Sequence, residues 1–324
     1  MAQLKTTFAG LALENPIIIS SSGLTNSAEK IKKLEEAGAG AVVLKSVFEE
    51  QISMQAGSMQ GYGSPEADYL GAYVRSHALN EHINLIEETK KICHIPVIAS
   101  INCYSDSEWV DFAIMMEKAG ADALEINILS LQTDKDYTPG SFEQRHIDIL
   151  CHIKKVVKIP VIMKLGSNLT NPVALINQLY ANGAAAVVLF NRFYQTDINI
   201  DTMAFTSANV MSTPNELPDR LRWTAIASAA VPRLDYAVSG GVHCGKGVIK
   251  SILAGAAAVE VCSVIYQYGA KEIENMKKEL SEWMDEKGYE SLSQFKGKMN
   301  AESAGEINPF ERTQFMRYYS NREE

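Results

Sequence analysis

Cysteine is scarce in this chain. There are five, Cys93, Cys103, Cys151, Cys244 and Cys262, and no two are spaced as a CxxC pair. Such irregular spacing fits free thiols in a reducing compartment better than a disulfide framework or a zinc site. It also argues against an iron–sulfur cluster held by four closely spaced cysteines. The six histidines include no HExxH, so no metal is expected. No apolar run is long enough to span a bilayer. Met1 to Gly10 lacks the basic-then-apolar layout of a signal peptide. Basic residues are in deficit, 30 Lys and Arg against 39 Asp and Glu, for a net charge of −9. That balance suits neither a nucleic-acid backbone nor an anionic membrane surface. The expected setting is the cytoplasm and the expected ligand a small molecule.

What is present is a repeat. The segments Glu36–Gly40, Lys118–Ala121, Ala181–Ala184 and Leu253–Ala256 each join a helix end to a short apolar strand through a glycine suited to the left-handed C-cap. Between them lie Ile95-Pro96-Val97-Ile98 and Ile159-Pro160-Val161-Ile162, with proline near the first strand position, where its missing N–H costs least. Pro16–Ser20 and Asp235–Ser239 bring the strand candidates to eight. Their continuous apolar runs read as strands buried on both faces. Amphipathic stretches such as Ser27–Ala37, Glu81–Ile92, Ser107–Ala119 and Gly247–Ala254 lie between them. The expected fold is a single (β/α)8 TIM barrel over residues 1–300. An open doubly wound sheet is the alternative, but GxGxxG is missing after the first strand.

Helix-to-strand links are short. Three strand-to-helix links are long: Ser46–Asn80, Ile128–Phe142 and Arg192–Leu221. In this fold such loops build the active site at the C-terminal face. Gly57, Gly61, Gly63 and Pro65 make the first of them a candidate lid. The tail, residues 301–324, holds a helix-start signal at Asn308-Pro309 and apolar residues including Phe310 and Phe315. A tail helix of this kind either packs on the barrel or meets a second subunit, which makes a homodimer one option.

The polar residues at the strand ends face the same rim. In order they are Ser20-Ser21-Ser22-Gly23, Lys45-Ser46, Asn102, Asn127, Lys164, Asn191, Ser239-Gly240-Gly241 and Cys262-Ser263. A buried lysine needs a partner. No Asp or Glu ends any of these strands, so the anion is expected from a ligand. Gly240-Gly241 after strand seven and Ser263 after strand eight occupy the usual phosphate position of the barrel.

In this order the motifs resemble the dihydroorotate dehydrogenase family, particularly its soluble class 1 members. The similarity runs from Thr6–Gly10 and Glu14-Asn15-Pro16 to Glu286–Leu292. Ser21-Ser22-Gly23 looks like the family's A-S-G beside the flavin. Lys45-Ser46 looks like its K-S pair, and Lys164-Leu165 like the K-L pair whose lysine faces the flavin N1 edge. Asn127 looks like the first residue of N-x-S-C-P-N, and Asn191 like the substrate asparagine. The resemblance implies FMN as cofactor, held by Ser22, Gly23, Lys45, Ser46, Asn102, Asn127, Lys164, Ser239, Gly240, Gly241, Cys262 and Ser263. It implies oxidation of dihydroorotate to orotate in pyrimidine biosynthesis. Hydride would pass from C6 to the flavin while a side chain after strand four takes the C5 proton. The catalytic residues it implies are Ser130, Lys164 and Lys45.

The substrate half departs from the family. Asn127-Ile128-Leu129-Ser130-Leu131-Gln132 keeps the first asparagine, with Ser130 at the base position and no base beside it in sequence. The family's N-S-M-G-L-P-N segment has no clear counterpart in Ser46–Asn80. Asn127, Asn191 and Arg192 are the candidate substrate contacts. Arg192 is either a carboxylate partner or a rim arginine. Two alternatives therefore stand beside dihydroorotate oxidation: a flavoprotein acting on a different small substrate, and an FMN-binding protein without turnover.

Overall fold

The computed structural model describes residues 2–48, 65–103, 109–304 and 310. Eight parallel strands close into a barrel: β1 Ile17–Ile19, β2 Ala41–Val43, β3 Val97–Asn102, β4 Ala123–Ile128, β5 Val161–Gly166, β6 Ala186–Asn191, β7 Asp235–Ser239 and β8 Ala258–Val261. Closure comes where β8 pairs with β1, Val259 opposite Ile17. A two-residue strand, Val47–Phe48, pairs with the end of β3. The helices are α1 Ala28–Glu36, α2 Pro65–Ile92, α3 Trp109–Lys118, α4 Ser141–Lys154, α5 Pro172–Ala181, α6 Leu217–Ala230, α7 Gly245–Leu253, α8 Ser263–Tyr268 and α9 Lys271–Lys287.

The repeated helix-to-strand link takes one form. Gly38, Gly120, Gly183 and Gly255 all have φ between +89° and +115°. In each case the next residue's N–H bonds back to a helix carbonyl five residues earlier, as with Ala39 N to Leu34 O. This left-handed cap is the reason for the glycine. The bottom of the barrel is filled by small residues, Ala41, Ala123, Ala186, Ala237 and Ala258, and plugged by Phe8 and Leu13. Those two come from an N-terminal hairpin, Thr6–Phe8 paired with Leu11–Leu13. The larger apolar side chains form a second layer between strands and helices.

Two expectations change here. Ser46–Asn80 is not one long loop, because α2 begins at Pro65. Proline at the first helical position and the helix formers after it outweigh Gly71. The lid glycines Gly57, Gly61 and Gly63 lie outside the described residues, as does the tail beyond residue 304 except Phe310. The link from β6 to α6 carries a two-stranded ribbon, Thr196–Asn199 with Ala204–Ser207. Among the described residues no helix is long and apolar enough to cross a membrane.

Candidate functional site

The site follows from strand parity. Side chains two residues apart share a face. Inside the barrel Ile18, Ala123, Ile162 and Ala258 belong to the apolar bottom. Two residues on, the same face carries Ser20, Glu125, Lys164 and Glu260, all buried. Two further on in β4 comes Asn127, opposite Asn102 of β3 and Lys164 of β5. A polar layer thus sits directly on an apolar one.

Lys164 is its centre. Its Nζ lies 2.5 Å from Glu260 Oε2 and 3.5 Å from Glu125 Oε1, and donates to Ser20 Oγ at 2.9 Å. Ser20 in turn donates to Glu260 Oε2 at 3.0 Å. Lys164 is 5% exposed, Glu260 2% and Glu125 0%. One cation with two carboxylates would leave a buried net charge, so one carboxyl holds a proton. Geometry makes Glu260 the anion, since two close donors reach it. Burial pushes its carboxyl up, but the Lys164 charge and the hydrogen bonds from Glu125, Lys164 and Ser20 bring it below the ordinary range. Glu125 Oε1 has Asn127 Nδ2 at 3.2 Å, while its Oε2 has no partner among the described residues. Burial, then the charge of Glu260, holds its carboxyl well above the ordinary range. Burial alone would push the Lys164 ammonium down, and the two carboxyls more than reverse it.

This corrects an expectation. The partner of Lys164 is not left to a ligand. Glu125 and Glu260 each stand two residues before a strand-end polar residue, Asn127 and Cys262, and share its inward face. A glutamate inside an otherwise apolar strand was the signal.

The raised Glu125 value has a consequence for pH. The folded state keeps a proton that the unfolded chain releases above about pH 4.5. The protein therefore loses stability as pH rises from there toward the folded value. Glu125→Gln mimics the protonated acid and removes that loss. Its melting temperature should match wild type near pH 4 and exceed it at pH 8. Parallel melting curves across that range would reject a protonated Glu125.

Above the triad, hydroxyls and amides interlock. Ser46 Oγ lies 2.9 Å from Ser21 Oγ and 2.8 Å from Ser100 Oγ, and Asn127 Nδ2 donates to Ser100 Oγ. Asn191 Nδ2 donates to Asn127 Oδ1 at 3.0 Å. They border a cavity of about 510 Å³, a size suited to a cofactor with a small substrate. Ser46, Asn102, Asn127, Lys164, Asn191, Arg192, Ser239, Gly240, Gly241, Cys262 and Ser263 all line it. So do Ser20 and Ser21, read from the sequence as rim residues, and Glu260, Phe48, Leu129 and Phe193, which sequence reasoning did not assign.

Four expected residues are not brought to this cavity. Lys45 is exposed on a separate outer groove with Glu81 and Glu88. β2 ends at Val43, its parity is lost, and Ser46 takes the inward place through Ser21 and Ser100. Ser22 instead caps the turn Gly23–Thr25, accepting from Leu24 N. Gly23 packs against Tyr266. Ser130 falls on the outward parity of β4, so Leu129 lines the cavity in its place. The partner of Ser130 Oγ is the Gln132 amide, a donor that cannot take its proton. Arg192 lines the cavity, but its guanidinium is engaged by Glu216 at 3.1 Å and by the carbonyls of Asn209 and Val210. Its contacts are those of a rim arginine.

At the other end of the cavity, Gly240 and Gly241 have φ of +94° and +81°. A Cβ on Gly241 would lie 2.4 Å from Leu217 N, at the start of α6. A Cβ on Gly240 would lie 3.3 Å from Arg220 Nε. That Nε is buried without a partner among the described residues, and the terminal nitrogens of Arg220 reach acceptors only at 3.3–3.5 Å. Ser263 Oγ accepts from Ser212 N at 2.9 Å. Bare backbone, a hydroxyl and an under-used guanidinium form a cradle for a phosphate-sized anion. Arg220 gave no sequence signal, since it sits inside a helix among other charges. Among the described residues no group of three His, Cys, Asp or Glu is placed to hold a metal.

Residues 3–284 match the family model for dihydroorotate dehydrogenase. The chain is 30% identical over 304 residues to the catalytic subunit of dihydroorotate dehydrogenase B (NAD(+)) of Thermoplasma volcanium, across 92% of this chain and 98% of that one. It is 26% identical to the Methanocaldococcus jannaschii protein of the same name, across 82% and 88%. It is 24% identical to subunit PreA of the NAD-dependent dihydropyrimidine dehydrogenase of Escherichia coli, across 92% and 77%. A barrel whose strand ends carry this ordered set, matched over nearly its whole length, belongs to the dihydroorotate dehydrogenase family, oxidoreductases that act on CH–CH bonds.

Proposed function

We propose that this chain binds FMN and oxidises dihydroorotate to orotate in pyrimidine biosynthesis, in line with its relatives named dihydroorotate dehydrogenase. The observation that carries the reading is the juxtaposition of two features on one cavity. One is the cradle of Gly240, Gly241 and Ser263, with Arg220 beside Gly240. The other is Lys164 below the amides of Asn102, Asn127 and Asn191. The cradle suits the phosphate of FMN, since a Cβ on Gly241 would strike Leu217 and displace the loop. The side chain of Asn102 has no partner among the described residues and faces the cavity, free for a pyrimidine carbonyl or N–H. Bound FMN would accept the hydride. Lys164 would hold positive charge against the ligand, and Glu260 with Ser20 fixes its ammonium in place. The serines and amides orient the substrate.

One observation favours a second reading: the same flavin chemistry on a different small substrate. Leu129 rather than Ser130 faces the cavity, so the proton acceptor for dihydroorotate is not where the family places it.

One anaerobic experiment addresses both. Purified protein should carry about one FMN per chain, and dihydroorotate should bleach it. Protein that is colourless and takes up no added FMN would sink the flavin reading. Yellow protein that dihydroorotate leaves unbleached would sink the substrate and favour the second reading. Ser130→Ala should bleach as fast as wild type. A loss of about 100-fold or more, the scale of a missing general base, would return Ser130 to the site. The names of the relatives call them subunits, and the electron acceptor here is accordingly sought in a second protein or in NAD.

A further inference from the structure

The link from β6 returns to α6 through a strap, Ala208 to Thr213, that has no regular structure. Val210 and Ser212 of this strap line the cavity. Its peptide groups have no ladder to join, so they need other partners. Side chains outside the strap supply them. Arg192, just past β6, donates to the carbonyls of Asn209 and Val210 at 2.7 and 2.6 Å. Ser212 N donates to Ser263 Oγ at 2.9 Å, and Ser212 Oγ lies 3.0 Å from His243 Nε2. Thr213 N donates to Glu216 Oε1 at 3.0 Å. Two of these partners also serve the phosphate end of the cavity. Ser263 lines it, and Glu216 holds Arg220, the guanidinium beside Gly240. The Glu216 carboxylate is therefore shared. It accepts from Arg192 Nε at 3.1–3.2 Å and from Thr213 N, but from Arg220 Nη2 only at 3.5 Å.

We propose that Glu216 is a positioning residue that couples the cofactor's phosphate to this strap, so that filling the cradle firms one wall of the cavity. The inference rests on the reading that the cradle takes the FMN phosphate. Its step is an exchange of partners. Ser263 Oγ accepts from the strap, which leaves its own proton to donate to a phosphate. Arg220 has an unpartnered Nε among the described residues and only long contacts to Glu216 and Asp219, so a dianion draws it away. The Glu216 charge is then left to Arg192 and Thr213 N, the two groups that anchor the strap on either side of Ser212. A carboxylate shared among fewer donors binds each more firmly. Linkage makes the effect mutual: whatever firms the strap raises the affinity for the phosphate by the same factor. An account from charge alone gives the opposite sign. Glu216 is an anion close to an anion site, so removing its charge would tighten FMN.

The test reads hydrogen exchange at the strap amides of Met211, Ser212 and Thr213, in protein stripped of flavin. Saturating FMN should slow it by roughly 10-fold, within the usual range of coupling between sites. Inorganic phosphate at millimolar concentration should slow it as well, although it is too small to cover the strap. Riboflavin, which lacks the phosphate, should not. Glu216→Gln keeps the size of the side chain and removes its charge. It should weaken FMN by roughly 10-fold in a fluorescence titration and abolish the protection, with riboflavin affinity unchanged. Circular dichroism and melting check its fold, and the exchange arms on the unaltered chain need no substitution. Exchange that bound FMN leaves unaltered overturns the proposal, as does equal protection by riboflavin. So does a folded Glu216→Gln variant that binds FMN as tightly as wild type or more tightly. If no FMN binds at all, the cofactor reading is what fails, and inorganic phosphate then carries the same two outcomes for the strap.

Discussion

Lys164→Ala is expected to lower the unfolding free energy at pH 7 by about 3–5 kcal/mol, the cost of leaving one member of a buried ion pair alone. The reason lies in the company Lys164 keeps. Among the described residues its ammonium is the only cation reaching Glu260, within hydrogen-bond distance, and both are almost fully buried. Without it, Glu260 is an anion in a low-dielectric layer, left to the neutral donors Ser20 and protonated Glu125. The carboxyl would then take up a proton, and the cost would shrink as pH falls. Urea denaturation at pH 7 and pH 5 reads both effects. A variant as stable as wild type at pH 7 would mean that water already reaches the triad.

The same substitution should slow reduction of bound FMN by roughly 10²–10³-fold, the range for losing one electrostatic donor. A damaged fold could mimic that loss, so a second variant is needed. Lys164→Met with Glu260→Gln removes the pair together and replaces it with groups of similar volume. Such replacements are often neutral for stability. The double variant should recover most of the lost unfolding free energy and none of the lost reduction rate. Recovery of both would make Lys164 a structural residue only.

That prediction depends on residues the sequence displays but does not flag. The repeat of helix end, glycine and apolar strand is local chemistry, so eight strands and their closure were legible from Ala39, Ala121, Ala184 and Ala256 onward. The strand-end amides followed from the same register. Glu125 and Glu260 were legible only through parity, because they sit inside the strands and not at their ends. Lys45 and Ser130 show the opposite failure. Each matches a family motif in the linear chain, yet the backbone leaves its strand after Val43 in one case and keeps strand parity past Asn127 in the other. A motif fixes spacing along the chain. It does not fix which face of the strand the residue takes. Arg220 and Glu216 illustrate a third limit. A guanidinium inside a helix, or a carboxylate just before one, gains meaning only once the fold decides what stands opposite.

Gly241→Ala should weaken FMN binding by at least about 100-fold, or roughly 2.7 kcal/mol. Two costs combine. At φ +81° an L side chain is strained, by about 1–3 kcal/mol. The new Cβ would also lie 2.4 Å from Leu217 N and 2.9 Å from its Cα, which are backbone atoms at the packed start of α6 and cannot swing aside. The loop must therefore move, and with it the N–H groups that would face the phosphate. The other glycines separate these costs. Gly140 has φ +87° and nothing within 4 Å of a Cβ, so Gly140→Ala carries the strain without the collision. It should bind FMN as wild type does. Gly240→Ala, at φ +94°, meets Arg220 Nε at 3.3 Å, and that side chain can yield. Its effect should fall between the two, because moving Arg220 costs part of the phosphate's charge partner. Quenching of flavin fluorescence in a titration of each variant gives the ranking. If Gly241→Ala binds FMN as tightly as Gly140→Ala, the phosphate does not rest on this loop. The cradle of Gly240, Gly241, Ser263 and Arg220 would then have to be given up, whatever the cavity holds.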